Sequence, residues 1–541
     1  MSRSSSAWLG AVLLTLALHL AYLSQDTRLP SDLGQYFVPL PALYGALQGG
    51  AWEGVWDALI SRPGAWYNLL TALWLSVVGK SSAAFQMLDL LSFGALLFIG
   101  SSVGKQLGGE EAGESARLAF ATVLCALPMV VLSARTSWVH VPEATLLLAM
   151  LRIWLGDPTL SKRWSIAGLA VLGALAIGLR PSALPWLALL CGAMIWGVAG
   201  QRAKWRSLAW ILGFWALSCL QMLPYLETYL AAKAMARARY MERVPELLPQ
   251  LIGAVGVLGG LASLAVGVLG FRKPDGVLAL AWSFVVVSLL LTLSSGAGVD
   301  NFLPLALGLA IIAALAARRR AWTSAIWALP LIGLTLPQIY TELPKDGALS
   351  RAFGALRIPA HPGPNNRLRP FEDLAADEVL QLIDASCPDL HAPCTILVDQ
   401  GLFQPYGESL GELPLFLASE RQPLLVSLAR GELPEPLNPD ALVHWTCTGE
   451  EQQGEERIWR SRYPQSGRKL MTLSETHALR LVWQRPIRSC TLMWLAPGGS
   501  VPAMERLPFP GPVSDALRQP LNLSGISGGP RDRPRPQVPG R

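Results

Sequence analysis

The sequence predicts a polytopic α-helical membrane protein of about eleven transmembrane helices, followed by an α/β domain outside the membrane. Three observations predict it. The chain of 541 residues is 52% hydrophobic and only 15% charged, with a mean hydropathy of +0.37, a balance that excludes an ordinary soluble enzyme. The apolar runs are uneven: residues 1–340 hold nearly all the long ones, 341–523 scatter Pro and charge through short ones, and 524–541 are rich in Gly, Pro and Arg, as in a disordered tail. Finally, the basic residues cluster between alternate apolar runs.

A span needs about 20 apolar residues, fewer if the bilayer thins locally. The first run, Trp8 to Leu23, has no small-residue cleavage site after it and is expected to stay as a helix. Up to Lys80 a long loop is partly apolar, with Tyr36, Phe37, Tyr44, Trp52, Trp56, Trp66, Tyr67 and Trp74, a pattern of helices lying in the membrane interface. Ala65 to Val78 is apolar but short for a span. Further spans are expected over 83–103, 118–134, 141–155, 164–179, 182–199, 208–226, 248–271, 277–293, 302–317 and 322–339.

This count places Lys105/Arg117, Lys162/Arg163, Arg202/Lys204/Arg206, Arg272/Lys273 and Arg318 to Arg320 on one side of the membrane. The positive-inside rule makes that side the cytoplasm, with the N-terminus there and the C-terminal domain outside, as in a bacterial inner-membrane protein. The net charge of +6 is explained by these loops; no basic patch interleaved with aromatics argues for nucleic acid. The 20 Trp suit two membrane–water interfaces.

In the exterior domain, Asp373 to Ile383 and Leu410 to Ala418 read as helices. Thr395 to Val398, Leu424 to Leu428, Ala478 to Trp483 and Thr491 to Trp494 read as strands. Cys125, Cys191 and Cys219 fall inside apolar spans and are expected to be core residues. Cys387, Cys394, Cys447 and Cys490 fall in the exterior domain, where four cysteines suit two disulfides. Cys387–Cys394 with Cys447–Cys490 is the favoured pairing, because the first pair closes a short loop; a zinc site is the rival, though neither pair has Cys-x-x-Cys spacing.

The candidate chemistry lies on the expected outer face. Asp32, just past the first span, and Glu143, at the start of the fourth, are carboxylates from separate loops that could converge on one cavity. One would then take a proton from an acceptor hydroxyl, or both would hold a divalent cation such as Mg2+ or Mn2+. Glu143 is equally an acid favoured by a helix N-terminus. His140 is a candidate base or ligand, or a hydrogen-bonded structural residue. Asp89 is an acid within a span, where acids mark function or pairing. Arg62, Arg135, Arg180, Arg237 and Arg239 are cations against the general bias, suited to a lipid phosphate by bidentate contact or to ordinary anionic lipids. No phosphate-binding Gly-rich loop, dinucleotide fingerprint or Gly-x-Ser-x-Gly elbow occurs.

Five stretches carry a family resemblance: Ser31 to Phe37 around Asp32, Arg62 to Trp74, Val139 to Leu147 around Glu143, Leu179-Arg180-Pro181-Ser182-Ala183-Leu184, and Asn301 to Leu305. Over residues 8–340 the chain resembles the polyprenyl-phosphate-sugar-dependent glycosyltransferases of the C-type membrane fold, which include the protein O-mannosyltransferases and the aminoarabinose–lipid A transferases. The resemblance implies inverting transfer of a sugar from a polyprenyl-phosphate donor to a hydroxyl of an acceptor protein or glycolipid. It implies Asp32 as base, Glu143 as its support, and Arg180 with Arg237 or Arg239 on the phosphate. Two rival functions remain: a transporter or flippase for lipid-linked anions, which would usually show internal hydropathy repeats, and a non-catalytic scaffold presenting the exterior domain.

Overall fold

A computed structural model describes residues 3–23, 40–61, 65–135, 139–201, 204–220, 276–295, 303–319, 394–398, 424–427, 439–447, 476–487 and 490–497, with residues 223, 382, 386 and 473. The described chain forms two units, one holding the helices and the other holding the strands. The expected spans 248–271 and 322–339, the expected helices 373–383 (but for Leu382) and 410–418, and the tail lie outside the described residues.

In the first unit α1 (Arg3–Leu23) buries Trp8, Val12, Thr15 and His19, a stripe at helical spacing. Three helices fill the following segment: α2 (Leu40–Gly49), α3 (Trp52–Ser61) and α4 (Ala65–Val78). The next helix, α5 (Ser82–Ala126), runs through both the second and third expected spans. Ser81 caps its start by accepting from the Ala84 amide at 3.1 Å.

The two limbs of α5 meet at Gly109, whose φ of 70° only glycine adopts readily. They then pack backbone against backbone. A Cβ on Gly104 would stand 2.6 Å from the Phe120 Cβ, and one on Gly108 would stand 2.7 Å from the Gly113 Cα. Gly100, Gly104 and Gly108 recur every four residues, the small-residue stripe that lets apolar helices approach closely. Lys105 and Glu114 (2.8 Å) clasp the turn.

The third expected span, 118–134, is corrected by the structure. It breaks at Leu127, which is extended (φ −70°, ψ 121°), and resumes as α6 (Pro128–Arg135). Pro128 is the cause: it has no N–H to continue the ladder and pushes its predecessor out of the helical region.

Next come α7 (His140–Gly156) and α8 (Arg163–Leu179), then a 3-10 turn (Pro181–Ala183), α9 (Leu184–Val198) and α10 (Trp205–Cys219). The α7–α8 connection is tied by Asp157. Its carboxylate accepts from the Ser161 amide (2.9 Å), the Ser161 hydroxyl (2.7 Å) and the Lys162 amide (2.7 Å). Burial alone would raise this carboxyl, but those bonds outweigh it and bring it down to about 2. Further along, α11 (Gly276–Ser295) packs on α12 (Leu303–Arg319), which also lies along α5. Nearly every residue of α12 from Leu303 to Ala314 is buried, so it is a core helix with no lipid- or water-facing stripe.

By length and composition, one helical stretch among the described residues, Ala83–Cys125, is long and apolar enough to cross a membrane, and it is the folded pair just described. The other apolar helices are shorter, including Ala65–Val78, Arg163–Leu179 and Leu184–Val198. Among the described residues, helices lie at most of the expected spans, without fixing eleven crossings.

The second unit is a five-stranded sheet of order β2-β1-β3-β5-β4, from β1 (Thr395–Val398), β2 (Leu424–Ser427), β3 (Ala441–Cys447), β4 (Leu479–Ile487) and β5 (Cys490–Pro497). β1 runs parallel to β2 and β3, while β5 runs antiparallel to β3 and β4. Leu397, Leu442, Leu473, Leu479, Met493 and Leu495 form its core. Four strands match the expectation; β3, between two of them, was not foreseen. Cys394 is disulfide-bonded, while Cys387 lies outside the described residues. The register sets Cys447 opposite Cys490. Cys125, Cys191 and Cys219 are free thiols of the helical unit; Cys125 is a core residue as expected, whereas Cys191 and Cys219 are half-buried against the core.

Candidate active site

Three of the expected residues come together where α7 begins and α8 ends. Arg180 follows α8 in an extended conformation (φ −161°, ψ 127°) imposed by Pro181. The 3-10 turn is closed by the Ala183 amide donating to the Arg180 carbonyl at 3.0 Å. This geometry stops the helix and turns the Arg180 side chain to the start of α7, where His140 and Glu143 lie one turn apart on one face.

The contacts are close. Arg180 Nη1 donates to His140 Nδ1 and stands 3.3 Å from its Nε2. The same nitrogen is 3.6 Å from Glu143 Oε2, and His140 Nδ1 is 3.9 Å from that oxygen. His140 and Glu143 are buried, at 4% and 3% exposure, and the Arg180 side chain is 13% exposed. An imidazole nitrogen that accepts from a guanidinium carries its lone pair there, so the ring is neutral. Glu143 is the counter-charge of Arg180 and also sits in the first turn of α7, where the helix dipole favours an anion. Its other oxygen, Oε1, is buried with no hydrogen-bond partner among the described residues, an acceptor open to a further donor.

The sequence identified these three residues but not their supports. Trp66, on α4, lies against Gly178, two residues before Arg180; a Cβ there would stand 2.3 Å from the Trp66 Cδ1. One residue further, the Tyr67 hydroxyl donates to Asp89 Oδ1 at 3.4 Å, both side chains being buried. The acid expected inside a span is thus paired. The signal for Trp66 and Tyr67 was the Arg62 to Trp74 stretch itself; nothing in it pointed to Gly178.

The cluster does not fit a divalent cation. A metal bound by Glu143 and His140 would face the fixed positive charge of Arg180 at hydrogen-bonding range. Among the described residues no three His, Cys, Asp or Glu side chains gather as a metal site. Of the other expected site residues, Arg135 ends α6, while Asp32, Arg62, Arg237 and Arg239 lie outside the described residues.

No protein-family model and no curated sequence matches the chain. Solved structures do match by fold. The crystal structure of ArnT from Cupriavidus metallidurans bound to undecaprenyl phosphate has a TM-score of 0.52 at 14% identity, covering 91% of this chain and 99% of that one. The apo state of the same protein has a TM-score of 0.50 at the same identity and coverage. The chain is thus similar in fold to ArnT, a likeness that agrees with the sequence resemblance.

Proposed function

We propose that the chain is a membrane glycosyltransferase. It moves a sugar from a polyprenyl-phosphate donor to an acceptor hydroxyl at the outer face of the cytoplasmic membrane, through an inverting displacement. The observation that carries this reading is the buried His140–Glu143–Arg180 cluster at the ends of α7 and α8. Intramembrane charge is costly and is kept where function needs it. The fold of an undecaprenyl-phosphate-bound ArnT supports the reading.

In the reaction, Asp32 takes the proton of the acceptor hydroxyl as its oxygen attacks C1 of the sugar. The C1–O bond to the lipid phosphate breaks, and polyprenyl phosphate leaves with the electron pair. The new glycosidic bond forms with inverted configuration. Arg180 neutralises charge developing on the leaving phosphate, with Arg62, Arg135, Arg237 and Arg239 as further cations on the same face. Glu143 and His140 act through Arg180: one balances its charge and the other fixes its fork, so both are positioning residues. The exterior unit, closed by Cys387–Cys394 and Cys447–Cys490, binds the acceptor.

A second reading, a non-catalytic scaffold, is favoured by the near-sealing of the cluster, which would serve as a latch between α7 and α8. Replacing Asp32 with Asn separates the two. In membranes carrying a radiolabelled lipid-linked sugar, the Asp32→Asn chain should transfer about 10²- to 10⁴-fold more slowly, at unchanged protein level, as for a lost general base. Undiminished transfer by that variant would show that the roles are wrongly assigned.

A further inference from the structure

At the far end of α7 from Arg180 lies an open groove of about 630 Å3 between α5, α7 and α8. It is roughly 15–20 Å along the helix from Glu143, at 1.5 Å per residue. Its rim is cationic: Lys105, Arg152 and Lys162 line it. Its wall is mixed, with Ile99 and Ile153 half-buried between the helices as an apolar strip beside Ser102, Gln106 and Ser165. Trp164 also lines it and is 89% exposed.

The rim cations differ in how they are used. Lys105 is held by Glu114 at 2.8 Å. Among the described residues neither Arg152 nor Lys162 forms an ion pair. The nearby acid, Asp157, accepts from the amides of Ser161 and Lys162 and makes no ion pair with the side chain of Arg152 or Lys162. The groove thus offers two cations that form no ion pair among the described residues, beside an apolar strip, with an indole at its mouth. That is the inverse of an anionic lipid: a phosphate head, a glycerol shoulder and a hydrocarbon tail. Basic pockets between membrane helices take such headgroups, and indoles settle at headgroup level. A soluble phosphate would use the rim and leave the apolar strip without purpose.

We propose that this groove binds an anionic phospholipid of the leaflet opposite the Arg180 cluster, with its phosphate between Arg152 and Lys162 and an acyl chain along Ile99 and Ile153. The site rests on the membrane embedding proposed above but not on sugar transfer.

The test is phosphatidylglycerol binding to the full chain in detergent, titrated and read by native mass spectrometry, with phosphatidylcholine and inorganic phosphate as competitors. Phosphatidylglycerol should bind and neither competitor should displace it. Arg152→Ala and Lys162→Ala should each weaken binding about fivefold and the pair about thirtyfold, while Arg152→Lys keeps it. If the double variant does not fold, the two single variants carry the test. Equal binding by wild type and variants, or displacement by inorganic phosphate at the lipid's own concentration, overturns the proposal. Both variants should transfer sugar as the wild type does. A wild-type chain that binds lipid but transfers nothing would sink the enzymatic reading alone, whereas release of the chain from membranes by alkaline carbonate would remove the ground for both.

Discussion

The two ends of α7 handle positive charge in opposite ways. At the His140 end the cation is enclosed: Arg180 meets a carboxylate and a neutral ring, and all three are nearly out of solvent. At the Gly156 end Arg152 and Lys162 line an open groove and form no ion pair among the described residues. The difference follows from burial. A guanidinium cannot be taken from water unless something neutralises it, whereas an exposed one can wait for a ligand. An enclosed cation is placed to answer charge that appears during a reaction; an open one is placed to hold charge that is always there.

The sharpest way to break this contrast is to strand one member of the enclosed set. Glu143→Ala leaves Arg180 buried without its counter-charge and should destabilise the chain by about 3–5 kcal/mol, read as a fall in thermal midpoint in detergent. The double change Glu143→Leu with Arg180→Leu should recover most of that stability and none of the transfer. If it recovered transfer as well, the cluster would be a latch. Next in size, Gly178→Ala drives a methyl into Trp66 and should cost about 1–3 kcal/mol, as overpacking does. Because Gly178 precedes Arg180 by two residues, transfer should fall too, whereas phosphatidylglycerol binding at the other end should hold. Gly104→Ala, pressed on Phe120 and the Ala116 carbonyl, should cost a similar amount and show the reverse sensitivity, since its limb carries Lys105.

The smallest effect is expected at Asp157. Asp157→Asn keeps an acceptor oxygen but loses the charge assistance, about 1 kcal/mol, and loosens the loop that carries Lys162, so lipid binding should weaken before transfer does. The sign with pH is set by a carboxyl held at about 2, below its ordinary value of 3.8. Its stabilisation is complete above the ordinary value and is lost as the pH falls towards 2. Wild type and Asp157→Asn should therefore converge in thermal midpoint across that window and differ at neutral pH.

Much of the helical frame was legible in the apolar runs. The run from Ala65 to Val78 matches α4 at both ends, and α7, α8 and α11 begin and end within two residues of the expected spans. A hydropathy run averages over residues, so it did not register Pro128, whose effect is local and steric. β3 was missed because Ala441 to Cys447 mixes His and Thr into a short apolar run without clean alternation. At the site, charge against the prevailing bias singled out Arg180, and its side of the membrane placed it with Glu143. That a single nitrogen would serve both His140 and Glu143 depends on side-chain direction, which spacing does not carry. The Trp66–Gly178 contact joins residues more than a hundred apart and leaves no local pattern at either.

α12 has a consequence for how the chain is made. Its every turn from Leu303 to Ala314 meets protein, and its main neighbour, α5, is synthesised long before it. In the membrane-embedded chain proposed above, the early hairpin would hold its eventual core face against lipid until this late segment arrives. Assembly would then end with the displacement of lipid by a helix, and the slot that α12 fills would be the part of the molecule most exposed to error while the ribosome is still at work.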